Sequence, residues 1–429
     1  MYYYQLAKAM IDVVEGQNLG VDIELYETET PYQRRICQLV QQKSFFGDPV
    51  DVTTGAYTDH VEAITVTGDE ILSFELEYNS AFASAGESEV GKGYYHNFES
   101  RLVRENGMIR YDANPYISVY FANEESLNGI YYGQIQDDKI VLNTQNNARE
   151  LLYHAVMPGM EDYIIVCHED QTYTLHMQDG SLYDYDEKGI LTAITQENGA
   201  KIEITRNDTQ MIITEIRSGH KLIASYVDGH IVSVADHTGR IVKFSYDGDN
   251  LTTITNSLGE HMTYTYDTDG RLTHGFNHVG AMYVENVYDM TGRVIKQTDA
   301  SGNSISFDYQ ETEAGMITNC TDTNGQVTIV TCDGARNIRS IRQPSGEVIM
   351  YEYDRYGNMI CASTTSGKTY TYTYDDKNHL ISSSQEGQTV GLFYDESGKI
   401  SVISDSETGQ ETVIIYDEAG RTKEITGSN

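Results

Sequence analysis

The stretch MTYTYDTDGRL, residues 262 to 272, contains the pattern that decides the fold of this chain. Threonine and tyrosine alternate in its first half, which predicts a β-strand with tyrosines on one face and threonines on the other. The four residues from Asp267 to Gly270 then predict a tight turn. The aspartate accepts hydrogen bonds from backbone N–H groups two residues on, and the glycine adopts positive φ without steric cost.

The same pattern recurs through the second half of the chain at intervals of about 21 residues. A glycine or asparagine also follows about every ten residues, so each repeat contains two turns. A fixed period of this kind predicts a repeat architecture. The residues that we predict to form the repeat turns are Tyr246, Asp247, Tyr266, Asp267, Gly270, Tyr288, Asp289, Gly292, Tyr353, Asp354, Gly357, Tyr374, Asp375, Tyr394, Asp395, Gly398, Tyr416, Asp417 and Gly420.

Some repeats depart from this pattern at the position of the glycine. Asn250 and Asn378 stand in its place, and we expect both to adopt the left-handed conformation, which asparagine tolerates. Arg336 occupies the same position in another repeat and predicts an irregular turn there. Gly315 comes two residues late and accounts for one longer repeat.

The number of turns constrains the shape of the predicted sheet. Strands of about six residues form a ribbon roughly 20 Å wide, and about two dozen of them would extend roughly 115 Å. Open twisted sheets rarely exceed about ten strands without curling. We therefore predict an all-β fold, a long antiparallel β-strip that coils into a partial shell, preceded by a short helical N-terminal segment. The predicted divisions are 1–44 (helical segment), 45–105 (pre-repeat β domain), 106–179 (β-rich linking segment) and 180–429 (repeats).

The charge and hydropathy of the chain exclude several classes of partner. The sequence contains 65 acidic and 29 basic residues, for a net charge of -36. Such a surface repels phosphate backbones, so we expect no nucleic-acid partner. No apolar stretch is long enough for a transmembrane helix, and the first 20 residues do not resemble a signal peptide. We expect no membrane insertion.

The sequence also gives no pattern typical of a metal site or an enzyme. The five cysteines are scattered without a CxxC pair, which favours free thiols over a disulfide framework. The histidines form no HExxH motif, and the acidic turns 247–250 and 267–270 lack the full ligand set of a calcium loop. No GxSxG motif is present. We predict no catalytic residue, no metal and no cofactor.

Several of these turns resemble the repeat motif of the Rhs/YD-repeat family. The matching segments are YDTDGRL (266–272), YDMTGRV (288–294), YDRYGNM (353–359), YDESGKI (394–400) and YDEAGRT (416–422). In addition, GDPVDVTTGAY (47–57), FELEYNS (74–80) and GKGYYHNFESRL (91–102) are similar to the domain that precedes the repeats in bacterial Rhs proteins.

The resemblance implies a function. Strips of this family form hollow shells around a C-terminal toxin, in polymorphic toxins and in insecticidal toxin complexes. It implies a non-catalytic scaffold, secreted or at the cell surface, whose partner is a C-terminal toxin or a continuation of the Rhs shell. The chain shows no PAAR-like spike domain, no PxxxxDPxG-type closing motif and no toxin domain. We therefore expect a truncated product or part of a split shell, without self-cleavage.

Two other functions are compatible with the sequence. Related strips in teneurins serve adhesion, and tyrosine faces such as Tyr370, Tyr372 and Tyr374 with acidic neighbours can hold sugars. The alternative is therefore a cell-surface adhesion or carbohydrate-binding protein with glycan partners, in which Tyr372→Ala removes binding. A third hypothesis is an enzyme within residues 1–178.

The end of the predicted strip suggests association with other chains. A last strand near Val413 to Tyr416 would present bare N–H and C=O groups, which form a template for strand pairing. We expect the isolated chain to oligomerise, to aggregate or to pair with a continuation chain. A strictly monomeric solution state, measured by light scattering, would contradict this expectation.

Overall fold

A computed structural model describes most of the chain from residue 45 onwards. The described residues are 45–46, 49–67, 71–84, 88–105, 107–123, 135–136, 139–140, 151–155, 163–177, 180–196, 198–354, 357–375, 379–385, 387–395, 400–406, 409–416 and 422–427. The helical segment expected for residues 1–44 lies outside them. So does Asn378, one of the two asparagines expected to replace glycine.

The described chain consists of short antiparallel strands joined by tight turns, which confirms the predicted all-β antiparallel fold. A single turn of 3₁₀ helix, Ser80–Phe82, is the one helix among the described residues. The strands are β1 (Phe45–Phe46), β2 (Val50–Asp51), β3 (Ala56–Val66), β4 (Leu72–Asn79), β5 (Tyr94–His96), β6 (Arg101–Glu105), β7 (Met108–Asn114), β8 (Ile117–Asn123), β9 (Ile135–Gln136), β10 (Lys139–Ile140), β11 (Leu151–Ala155), β12 (Ile164–Cys167), β13 (Tyr173–His176), β14 (Leu182–Tyr185), β15 (Leu191–Thr195), β16 (Lys201–Arg206), β17 (Gln210–Glu215), β18 (Lys221–Val227), β19 (His230–Asp236), β20 (Ile241–Asp247), β21 (Asn250–Thr255), β22 (His261–Tyr266), β23 (Leu272–Phe276), β24 (Met282–Tyr288), β25 (Val294–Asp299), β26 (Ser304–Thr312), β27 (Gly315–Thr321), β28 (Val327–Asp333), β29 (Ile338–Arg342), β30 (Val348–Tyr353), β31 (Met359–Thr364), β32 (Thr369–Tyr374), β33 (Leu380–Gln385), β34 (Gln388–Tyr394), β35 (Ile400–Asp405), β36 (Glu411–Tyr416) and β37 (Thr422–Gly427).

The chain divides into two compact units, and the first contains Phe98–Thr195. Its strands pair antiparallel in the order β6-β7-β8-β11-β12-β13-β14-β15, while β9 and β10 form a separate hairpin. A single bridge also joins Arg101 to Ile190, and the Leu102 amide donates to the Gly189 carbonyl at 2.8 Å. Fully buried side chains, including Val119, Phe121, Ile165, Leu175 and Leu191, form its core.

The second unit contains Gln41–Asn97 together with Gln196–Asn429. Strands β1 to β5 follow one another in chain order, and so do β16 to β37, each antiparallel to the next. Strand β32, TYTYTY, has exposed threonines and half-buried tyrosines, as the alternation predicts. In the longer repeat, β26 and β27 continue to a tight hairpin in which Thr312 pairs with Gly315.

Two expectations about the turns are wrong. Asn250 does not adopt positive φ. It pairs with Asp247 across a two-residue turn in which Gly248 takes φ +57°, so the positive φ falls on Gly248 and not on Asn250. The turn at Arg336 forms regularly, because Arg336 itself adopts φ +68° and its amide donates to the Asp333 carbonyl at 2.9 Å. Its guanidinium supplies a compensating buried hydrogen bond, described below.

Candidate functional site

The aspartate of the repeat turn holds the turn together through both of its carboxylate oxygens. Oδ1 of Asp267 accepts from the backbone amides of Asp269 and Arg271, each at 2.9 Å. Oδ2 accepts from Nε of Arg271 at 2.7 Å. Gly270 closes the turn with φ +80°. One carboxylate thus fixes two amides and one guanidinium, and Asp289 repeats this arrangement in the next turn.

The motif tyrosine joins its own repeat to the preceding one. Tyr288 donates its hydroxyl hydrogen to the Leu272 carbonyl at 2.8 Å, and Tyr309 donates to the Val294 carbonyl at 2.8 Å. In each case the acceptor is the apolar residue that follows the preceding motif turn. The same bond joins Tyr246 to Ile231, Tyr266 to Leu251, Tyr374 to Met359 and Tyr394 to Leu380. The sequence analysis did not predict this bond, although the interval of 14 to 16 residues between donor and acceptor is regular.

The basic residue after the turn adds a second link between repeats. The guanidinium of Arg271 lies 5.2 Å from the centre of the Tyr288 ring, and that of Arg293 lies 5.0 Å from the Tyr309 ring. A cation over an aromatic face is attracted by the ring quadrupole. Each arginine therefore binds the aspartate of its own turn and the tyrosine of the next repeat.

The remaining predicted turn residues that the structure describes lie in successive repeats along the sheet and are not brought together at one point. Asp354 Oδ1 accepts from the Asn358 amide at 2.9 Å, and Gly357 has φ +85°. Asp375 Oδ1 accepts from the His379 amide at 2.8 Å. Gly292 has φ +87°, Tyr353 and Tyr416 end strands β30 and β36, and Asp395 directly follows β34. Gly398, Asp417 and Gly420 lie outside the described residues.

Residues 49–97, here called the cover, contact the repeats through equivalent backbone amides. The Val294 amide donates to the Gly55 carbonyl at 2.8 Å, and the Leu272 amide donates to the Tyr78 hydroxyl at 2.8 Å. The Ile231 amide donates to the Glu89 carbonyl at 2.7 Å. These residues all follow a repeat turn, so the cover takes one equivalent backbone-amide hydrogen bond from each of three repeats.

The loop Val52–Gly55 of the cover extends the contact to two more repeats. Thr318 donates its hydroxyl hydrogen to the Val52 carbonyl at 2.7 Å. Arg336, which is 8% exposed, donates from Nη1 to the Thr53 carbonyl at 3.1 Å. Arg336 stands out in the sequence because it replaces glycine. Its partner could not be predicted, because nothing local to the repeat identifies a residue 283 positions away.

A half-buried carboxylate, that of Glu89, links a second part of the cover to the repeats. Glu89 Oε2 accepts from the Tyr226 hydroxyl at 2.8 Å and lies 3.0 Å from His96 Nε2, while Arg206 Nη1 lies 3.2 Å from both carboxylate oxygens. Burial by itself raises the pKa of Glu89, but the bonds and charges of these three neighbours outweigh it and lower that pKa to about 2.

Acid should therefore weaken the attachment of the cover. Because the folded-state pKa of Glu89 is below its ordinary value of about 4.5, its stabilising contribution is complete above pH 4.5 and is lost as the pH falls towards 2. We expect urea unfolding of Glu89→Gln to show a smaller pH dependence over this range than wild type. Glu203→Gln is the control, since that side chain is 52% exposed. Equal pH dependence in all three proteins would contradict the prediction.

The turn carboxylate makes a second prediction. Asp267→Ala removes two backbone hydrogen bonds and an ion pair, and we expect the free energy of unfolding to fall by about 1 to 2 kcal/mol. Asp267→Asn should cost less than half as much, because Asn277 makes the same bonds to the amides of Val279 and Ala281 in a native turn. Chemical denaturation followed by circular dichroism measures both. Equal losses would show that the charge, and not the backbone bonding, stabilises the turn.

The metal, membrane and cysteine expectations concern other parts of the chain. Among the described residues, no group of three or more His, Cys, Asp or Glu side chains could hold a metal ion. No helix within the same ranges is long and apolar enough to cross a membrane. Cys167, Cys320, Cys332 and Cys361 are free thiols, and burial raises the pKa of Cys332 to about 11.

Two protein families match the sequence. Residues 171–284 and 260–353 match the family described as Teneurin YD-shell. Residues 47–118 match a family described as a domain of unknown function, DUF6531, and this match includes the whole of the cover. No curated protein matches the chain.

Similar solved structures include the crystal structure of TcdB2-TccC3-Cdc42, at 9% identity and a TM-score of 0.39, which covers 83% of this chain and 22% of that one. The crystal structure of TcdB2-TccC3 without its hypervariable C-terminal region is 10% identical, with a TM-score of 0.39. The match covers 83% of this chain and 23% of that one. The structure of the Photorhabdus luminescens Tc holotoxin pore is 10% identical, with a TM-score of 0.29. The match covers 84% of this chain and 25% of that one. This chain therefore spans about a quarter of the length of those chains.

The turns, the tyrosine bonds and the family match point to the same assignment. The Tyr-Asp turn, the basic residue after it and the apolar residue that accepts the next tyrosine recur through the region that matches the Teneurin YD-shell family. The resemblance found in the sequence is confirmed for residues 171–353, which match the Teneurin YD-shell family and carry the YD-repeat pattern.

Proposed function

We propose that this chain is a non-catalytic scaffold that forms part of a β-shell around an effector polypeptide, as Rhs-type toxin-delivery proteins do. The observation that carries the proposal is the bonding of the motif side chains. The carboxylate of Asp267, the guanidinium of Arg271 and the hydroxyl of Tyr288 all bind neighbouring parts of the sheet. The recurring polar residues thus stabilise a wall, which is the task of a shell and not of an active site.

The partners and location follow from the same proposal. The effector, or a continuation of the shell, would be the main partner, and the chain would act outside the cell or at its surface. We further propose that residues 45–105 are the pre-repeat domain, 106–179 a linking segment and 180–429 the shell repeats. The net charge of -36 argues against nucleic acid as cargo.

Co-expression tests the scaffold proposal. The full chain is produced with and without the polypeptide encoded immediately downstream of it, and each preparation is treated with a nonspecific protease. We expect the downstream polypeptide to co-purify with the chain and to resist digestion only in the complex. A downstream polypeptide that neither co-purifies nor gains resistance would overturn the proposal, and so would a toxic activity of the 429-residue chain by itself.

One observation favours a glycan-binding function as the second candidate. Tyr370, Tyr372 and Tyr374 are half-buried on one face of β32, so their rings are partly open to a ligand. A glycan array with the full chain separates the two functions. A signal that Tyr372→Ala removes and Thr371→Ala keeps would establish glycan binding, since Thr371 lies on the opposite face. A blank array supports the scaffold.

A further inference from the structure

The apolar face of the repeats changes from buried to half-exposed along the sheet. Leu272 and Val294, which follow repeat turns, are 0% exposed. Met359 and Leu380 hold the same position in later repeats, where each accepts the hydroxyl of the next motif tyrosine, but they are only half-buried. The equivalent position therefore loses protection from solvent in the last part of the chain.

A second column of side chains shows the same change. Tyr264, two residues before a motif tyrosine, is buried, as is Phe307 in a later repeat. Tyr351, Tyr372 and Leu392 hold this position after Arg336, and each is half-buried. We call the set Tyr351, Met359, Tyr372, Leu380 and Leu392 the uncovered face.

The change does not come from a different strand geometry. Tyr374 pairs with Leu380 across a register shift, as Tyr266 pairs with Leu272. The Tyr374 hydroxyl is 2.9 Å from the Met359 carbonyl, close to the 2.8 Å of the Tyr288 bond to Leu272. What differs is the cover, whose described hydrogen bonds to the repeats extend from Arg206 to Arg336.

The chemistry of the uncovered face restricts its occupant. Its five residues carry no charge, although the chain as a whole is strongly acidic. Partly exposed apolar and aromatic side chains of this kind gain free energy when another apolar surface removes them from water. On the covered repeats the occupant is the cover, whose turn Val52–Gly55 and neighbouring strands offer oxygen acceptors, among them the Gly55 carbonyl, to the amides that follow the repeat turns.

We propose that the uncovered face is the docking surface for a second extended polypeptide segment, chemically similar to residues 49–60, with apolar and aromatic side chains and a turn that presents carbonyl oxygens. This face prolongs, in the same register, an interface that residues 49–60 already form with the earlier repeats. The inference rests on the proposed scaffold function and identifies the part of the wall that contacts a partner.

Peptide binding tests the inference. A fluorescein-labelled peptide with the sequence of residues 49–60, PVDVTTGAYTDH, is titrated with the full chain, and fluorescence anisotropy is measured. Salt of about 0.5 M screens repulsion between two acidic partners. We expect saturable binding that Leu380→Asp weakens at least about tenfold, because a buried leucine contact is lost. The matched control is Ile381→Asp, whose side chain is 37% exposed on the opposite face of β33.

The outcomes separate this inference from the scaffold proposal. Circular dichroism first establishes that both variants keep the wild-type β content. Absent binding, or equal weakening by the two variants, overturns the docking surface even where the downstream polypeptide remains protease-resistant with the chain. A glycan signal that Tyr372→Ala abolishes, without peptide binding, would assign the face to sugars instead. Light scattering that shows a dimer dissociated by Leu380→Asp, again without peptide binding, would assign it to a second copy.

Discussion

Replacement of Leu272 by alanine is expected to lower the free energy of unfolding by about 3 to 5 kcal/mol. Leu272 is fully buried, its amide donates to Tyr78 of the cover, and its carbonyl accepts from Tyr288 of the next repeat. The substitution leaves a cavity where the cover and two repeats meet, and the hydrogen bonds that Leu272 makes to both limit its collapse. Urea denaturation followed by circular dichroism measures the loss.

Leu380→Ala is the matched control for this prediction. Leu380 holds the same position in a later repeat and accepts from Tyr394, but it is only half-buried. Its replacement removes less buried area, so we expect a loss of about 1 kcal/mol. Similar losses for the two variants would mean that the cover does not seal Leu272, and the account of the first repeats would be wrong.

The second large effect is expected for Gly55→Ala. Gly55 has φ +78°, and a Cβ atom there would lie 2.6 Å from Cβ of Arg293, which is closer than atoms can approach. The added methyl group must push the cover away from the repeat and lengthen the 2.8 Å bond from the Val294 amide. Backbone strain and overpacking together predict a loss of about 2 to 5 kcal/mol.

Gly280→Ala measures the backbone strain alone, so the difference between the two variants gives the contribution of packing. Gly280 has nearly the same conformation, φ +75°, but no atom lies within 4 Å of a Cβ built there. Its replacement should cost only the backbone strain, about 1 to 2 kcal/mol. We also expect faster proteolysis of the cover in Gly55→Ala but not in Gly280→Ala. Equal stability and equal proteolysis would show that the loop Val52–Gly55 is not held against the repeats.

The strands and turns could be predicted from the sequence because their causes are local. The alternation in TYTYTY sets the two faces of β32, and Asp267 with Gly270 specifies a turn within four residues. Periodic turns of this kind then require each strand to pair with the next. The bulk of the sheet order follows from these local rules.

A β domain was predicted for residues 45–105, but its contacts with the repeats could not be predicted, because they join residues that are far apart in the chain. The bond from Arg336 to Thr53 explains why an arginine stands where other repeats have glycine, yet the two residues are 283 positions apart. The prediction of positive φ for Asn250 was wrong for a different reason. Gly248 in the same turn adopts positive φ at a lower steric cost. The prediction for the motif tyrosine was also incomplete. The sheet face of its side chain was predicted, but the carbonyl that accepts its hydroxyl hydrogen was not.

Amide hydrogen exchange of the full chain tests the central claim, which is that the cover seals the first repeats of a continuous tyrosine-linked sheet. The account predicts slow exchange for peptides containing Ile231, Leu272 and Val294, whose amides donate to the cover. It predicts markedly faster exchange for peptides containing Met359 and Leu380, at the same positions of later repeats. Equal exchange rates in the two groups would contradict it.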